Sequence, residues 1–286
     1  MKVASIVLLT GIAMLAFAAN SVLCRLALGH DEIDATGFTA IRLAAGALVL
    51  ASIIAARRQK TSANQRGSWI SASMLFLYAA AFSLAYRQLS SGTGALILFG
   101  SVQLTMLIAA HRTGERAAAP EWMGLILAFG GLTYLVAPGI AAPPALGAAL
   151  MSVAGLAWGV YSIRGRGAQD PLAVTAGNFI RCVPMAIIAM LIAIRTVHVT
   201  PTGILLAAIS GAITSGLGYV IWYSVLPHLT KTRAALVQLS VPIIAALGGA
   251  AFLGEKITAR LAVASLLVLG GIALAVGVSS FAPKKS

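Results

Sequence analysis

Tyr78, Phe82 and Tyr86 follow one another at intervals of four residues, which on a helix aligns three rings along one face. Further on, Tyr219, Trp222 and Tyr223 cluster, and Trp158 and Tyr161, three apart, share a face as well. Such rings can offer flat apolar walls to an aromatic or aliphatic side chain and a negative face to an ammonium group. Packing is the other use of an aromatic stripe, and Tyr86, nearest a helix end, suits it best. Hydroxyl and indole donors at that depth need partners in either case.

Uncharged amides stand beside the rings. Asn20, Gln103 and Gln238 sit well inside apolar runs. An amide facing hydrocarbon is costly, so all three should face inward, either tying helices together or hydrogen-bonding a zwitterionic ligand. Phe99 lies one turn before Gln103 and shares its face. The candidate substrate-binding set is Asn20, Tyr78, Phe82, Phe99, Gln103, Trp158, Tyr161, Tyr219, Trp222 and Gln238. Pro242 removes a backbone hydrogen bond inside an apolar run and is a candidate hinge. Small residues crowd the same two segments (Gly94, Gly100 and Ser101, then Ser240, Gly248 and Gly249), which permits either close helix contact or bending.

Other chemistries are poorly served. None of the 7 acidic residues lies in the middle of an apolar run, and the 4 histidines fall at run ends or in loops. A proton relay through a buried carboxylate is therefore not expected, and downhill transport or exchange is. A Gly-Lys-Ser/Thr phosphate loop and a His-Glu-x-x-His pair are both missing, as is a mid-depth Ser with a His or Lys partner. Cys24 and Cys182 lack metal-ligand spacing. No catalytic residue, metal or cofactor is expected, and an enzyme is not the reading.

The surroundings of these residues define the class. Of 286 residues 59% are hydrophobic and 9% charged, and the mean hydropathy is +0.95. Apolar runs of about 20 residues recur along the whole length, as a bilayer demands, and they do not alternate as barrel strands would. The formal charge of +13 sits in short loops rather than on a stripe, which points to membrane topology and not to nucleic acid. Ten helices are expected, at 4–28, 36–56, 68–87, 92–111, 121–137, 145–164, 172–194, 202–226, 232–253 and 259–280. Breakers such as Asp170-Pro171 and Thr200-Pro201 divide them. Met1-Lys2 before an apolar run resembles a signal peptide, but the many runs that follow favour a retained first helix. Basic residues concentrate on one side (Arg57, Arg58, Lys60, Arg112, Arg116 and Lys284 among them), which puts both termini in the cytoplasm of a bacterial inner membrane. Trp69 and Trp122, at cytoplasmic helix starts, read as interfacial anchors.

A repeat runs through the chain. Moving Gly114-Glu115 onto Gly254-Glu255 also carries Leu96 onto Leu236, Leu107 onto Leu247 and Gly130-Gly131 onto Gly270-Gly271. Upstream, a shift shorter by one carries Arg25 onto Arg164, Asp31 onto Asp170 and Arg42 onto Arg181. The expected units are residues 1–140 and 141–286. Each has five helices, an odd number, so the halves are inverted, a construction of secondary transporters that rock about a site at the midplane. Arg42 and Arg181 then lie near opposite faces, where they cap helix C-termini, pair with Glu255 or Glu115, or bind a carboxylate. Glu115 and Glu255 follow their helices and set loop geometry.

Leu156-Ala157-Trp158-Gly159, the Arg opening helices 2 and 7, and the Pro242 helix ending in Leu253-Gly254-Glu255 resemble the drug/metabolite transporter superfamily, and more narrowly its ten-helix EamA-type exporters. The first half departs from the pattern, with Val102 where the second has Pro242 and Ala19-Asn20 where it has Trp158-Gly159. The resemblance implies an all-α carrier exporting small metabolites, amino acids including aromatic ones foremost, as a monomer or weak dimer. A carrier of drugs or other metabolites on the same fold, and a non-transporting assembly or scramblase protein, remain as rivals.

Overall fold

The computed structural model describes residues 2–57, 67–112, 119–139, 141–165, 168–229, 234 and 237–279. They form α1 (Val3–Gly29), α2 (Ala35–Ala56), α3 (Trp69–Tyr86), α4 (Ser91–Arg112), α5 (Ala119–Val136), α6 (Ala145–Gly165), α7 (Pro171–Ile192), α8 (Pro201–His228), α9 (Ser240–Leu253) and α10 (Ala259–Ser279). Seven of these are long and apolar enough to cross a membrane. Three offer shorter apolar stretches, Trp122–Val136, Ser240–Leu253 and Ala259–Leu274. The chain is an all-α, multi-pass membrane protein. Among the described residues there is no named strand, only an isolated antiparallel bridge between Ile33 and Val199.

Helix starts are where the polar breakers place them. The Asp34 carboxylate accepts from the amides of Thr36 and Gly37 at 2.9 and 3.0 Å, opening α2. Ser68 accepts from Ser71 N to open α3. Asp170 and Thr200 cap α7 and α8, each followed by a proline whose missing N–H costs nothing in the first turn. These bonds satisfy donors that lipid cannot.

The packing follows a pattern. Helices α2 and α7, α4 and α9, and α5 and α10 lie against each other, as do α3 with α6, α1 with α8, α4 with α6, α1 with α9, α2 with α8, and α3 with α7. Exchanging each helix of the first five with the one five later maps this set onto itself. Large apolar residues such as Ile192, Phe252 and Leu266 point outward and are mostly exposed, as a lipid-facing surface requires. Trp69 and Trp122 are also exposed, at the starts of α3 and α5.

Candidate functional site

A narrow space lies where α1, α3, α4, α6 and α8 converge. Phe17, Asn20 and Ser21 line it from α1, Tyr78 and Phe82 from α3, Leu98 and Phe99 from α4, Trp158 from α6, and Thr214 and Tyr219 from α8. The side chains close on one another. The Trp158 ring lies 4.9 Å from both the Tyr78 and the Tyr219 rings, Tyr78 is 5.3 Å from Phe82, and Phe17 packs on Tyr219 at 5.9 Å. Tilted and edge-on contacts of this kind suit the ring quadrupoles. The space left among them holds about one water molecule, so the cavity is contracted in this conformation.

Asn20 ties three helices together. Its side-chain oxygen accepts from Ser210 Oγ at 2.6 Å and lies 3.3 Å from Thr214 Oγ1, whose proton goes to Ser210 O at 2.7 Å, while its nitrogen donates to Tyr78 OH at 3.4 Å. The α8 partners come from a π-helical segment, Ser210–Leu217, inside that helix. The wider turn disrupts the regular backbone ladder and aims Ser210, Thr214 and Ser215 at α1 and α2. Gly211 is required there, because a Cβ at that position would overlap the Arg42 carbonyl of α2. The sequence reading treats helix 8 as regular; the hydroxyl and glycine run from Ser210 to Gly216 is the signal that marks the departure.

Arg42 is buried inside the bundle and is 2% exposed. Nε donates to Ser215 Oγ at 3.2 Å, Nη2 donates to Tyr78 OH at 3.1 Å, and buried Nη1 has no partner. The guanidinium lies 5.2 and 5.0 Å from the ring centroids of Tyr78 and Phe82. The expected pairing of Arg42 or Arg181 with Glu255 or Glu115 takes another form. Glu255 pairs with Arg25 at 3.3 Å, and Arg181 Nη1 donates to Gly177 O of its own helix with its guanidinium 5.8 Å from the Trp69 ring centroid. Glu115 falls outside the described residues.

Of the ten residues singled out in the sequence, Asn20, Tyr78, Phe82, Phe99, Trp158 and Tyr219 meet at this cavity. Tyr161 lines a second one, with Ser71, Arg164, Thr175, Asn178 and Tyr223, and its ring sits 5.4 Å from Trp158. Trp158 and Tyr161 thus pack side by side, each lining one of the two spaces. Trp222 packs behind Phe17 at 6.0 Å. Gln103 is buried with its amide nitrogen unpartnered, and Gln238 donates to Ala234 O in its own turn; neither lines the central cavity. Pro242 lies in the first turn of α9 rather than mid-helix, and the interruption comes at Leu239. Phe17, Ser21, Leu98 and Thr214 complete the lining without having stood out in the sequence.

The end of the bundle nearest Arg25 is laced shut. Arg25 Nη1 donates to the carbonyls of Tyr86 and Arg87 at 2.9 and 3.1 Å. The α1–α2 and α7–α8 loops join through Asp34 N to His198 O, Thr200 N to Glu32 O, and Thr200 Oγ1 to Glu32 Oε2. At the opposite end Arg164 Nε donates to Ser71 Oγ at 3.1 Å, and Arg57 meets Asp170 at 3.7 Å.

The model of the EamA-like transporter family matches residues 4–137 and again residues 145–277. The chain is 54% identical over 267 residues to an uncharacterised protein of Pseudomonas aeruginosa, covering 93% of each. It is 28% identical over 258 residues to the threonine/homoserine exporter RhtA of Escherichia coli K12, covering 84% of this chain and 80% of that one. A solved crystal structure shares the fold with a TM-score of 0.65 at 18% identity, over 96% of this chain and 99% of that one.

Proposed function

Because this chain belongs to the EamA-like transporter family, we propose that it is an inner-membrane carrier exporting small metabolites, foremost amino acids with aromatic or large apolar side chains. The observation that carries this reading is the ring-lined space shared by α1, α3 and α4 of the first family match and α6 and α8 of the second. Its walls suit a flat or branched apolar side chain, and the RhtA relatives export threonine and homoserine.

In this reading, residues 1–140 and 141–286 are inverted halves that rock about the cavity, with both termini in the cytoplasm. The exchange-symmetric helix packing supports it. The described conformation is the one closed at the Arg25 end. No cofactor or chemical step enters: among the described acidic side chains none lines the cavity, so exchange down a gradient is the mode rather than proton-driven pumping. Counterflow of labelled amino acids into liposomes holding the purified protein tests the function. Saturable exchange of at least one aromatic or large apolar amino acid supports it, and exchange of none of them removes it.

A further inference from the structure

Beside the central cavity lies a buried positive charge that no carboxylate among the described residues balances. Arg42 is almost wholly buried, its Nη1 has no hydrogen-bond partner, and the ion pairs among the described residues, Arg25–Glu255 and Arg57–Asp170, do not include it. A desolvated guanidinium with a free donor and no counter-ion is unfavourable unless an anion visits. Tyr78 and Phe82 lie against both this group and the cavity: both rings are part of the wall and both sit beside the guanidinium, and the Tyr78 hydroxyl accepts from Nη2. A ligand larger than water must displace the rings that fill the space, and shifting Tyr78 and Phe82 uncovers the guanidinium.

The groups beside Arg42 offer little to a cation. Asn20 Oδ1 accepts from Ser210 Oγ, and the faces of Tyr78 and Phe82 are already engaged by the guanidinium. An ammonium placed there meets Arg42 without a carboxylate to shield it.

We propose that the cavity is a monocarboxylate site anchored by Arg42, and that the amino group of an amino acid contributes nothing to recognition. Deaminated acids with the same side chain are then ligands as good as the amino acids. The proposal rests on the reading of this cavity as the transport site, and it names the group that is recognised there.

Three probes with one ring and one two-carbon spacer separate the charges: L-phenylalanine, 3-phenylpropionate and 2-phenylethylamine, titrated calorimetrically into the purified full chain. 3-Phenylpropionate should bind within about threefold of phenylalanine, and 2-phenylethylamine about tenfold more weakly than either. Arg42→Gln should weaken both acids by about tenfold or more and leave the amine no weaker than before, since the charge that repels it is gone, with Arg42→Lys recovering part of the acids' loss. Monodispersity and thermal unfolding check the variants, and if Arg42→Gln does not fold, the wild-type ranking decides. The proposal is overturned if the amine binds as tightly as the acids, if Arg42→Gln leaves the acids unaffected, or if none of the three binds. Because binding is read without transport, a correct ranking in a protein that fails every counterflow assay separates this site from the carrier function.

Discussion

Arg25 and Glu255 are joined across the bundle: Nε of the arginine donates to Oε1 of the glutamate at 3.3 Å, and Oε2 of the same carboxylate accepts from Ser91 N, at the start of α4, at 2.8 Å. The link depends on Gly254, whose φ of +63 turns the chain at the end of α9 and brings Glu255 back onto α1 and α4. It fastens α1, α4 and α9 at one end of the cavity.

Glu255→Gln should therefore loosen that end. A partly buried pair of this kind is worth about 1 kcal/mol, or about a fivefold change in an opening equilibrium. Cys24, adjacent to Arg25 and fully buried, is the reporter: a small maleimide should modify it several-fold faster in the variant. Cys182, buried with its thiol donating to Ala72 O, serves as the reference. An unchanged Cys24 to Cys182 ratio would mean that the pair does not hold the end closed.

Gly211→Ala should destabilise the protein by about 1–3 kcal/mol through overpacking against the Arg42 carbonyl. Gly130→Ala, where nothing stands within 4 Å of the added carbon, should be neutral or slightly stabilising. Thermal unfolding in detergent of constant composition compares them, and equal midpoints would contradict the close approach of α2 and α8.

Asn20→Leu leaves the buried Ser210 hydroxyl without its acceptor, a loss of about 1–3 kcal/mol. Deuterium exchange should rise in the π-helical segment Ser210–Leu217 more than elsewhere in α8. Uniform protection along the helix would rule out Asn20 as the tie that orders it.

How far the site could be read beforehand depended on the kind of residue. Tyr78, Phe82 and Tyr86 declare themselves by spacing, and the first two do line the cavity while Tyr86, fully buried, donates to Ser91 O as a packing residue. Phe17 and Leu98 could not be told from their apolar neighbours, because only the arrangement of helices decides which apolar face meets a cavity and which meets lipid. The partners of Arg42 were hidden for a related reason: its bonds to Ser215 and Tyr78 depend on the glycine-permitted approach of α8, which spacing along α2 does not reveal. Gln103 and Gln238 were rightly expected to be buried, but burial alone does not direct a side chain to the cavity.

Trp158 lines the central cavity and packs on Tyr161, which lines the neighbouring one. Trp158→Ala should weaken an aromatic ligand by about tenfold, since it removes ring contacts worth about 0.5–1.5 kcal/mol beyond the lost area. Trp158→Phe should cost much less. Half-saturation in counterflow reads both, and equal values for wild type and Trp158→Ala would move the site elsewhere.

The central claim, that this cavity carries substrate, is tested most directly by counterflow across a panel of labelled amino acids with purified protein in liposomes, with and without an imposed pH gradient. The account predicts saturable exchange of aromatic or large apolar amino acids, half-saturation shifted by Trp158→Ala, and no uphill accumulation driven by the pH gradient alone. Exchange of no amino acid, or exchange unaffected by Trp158→Ala, would contradict it.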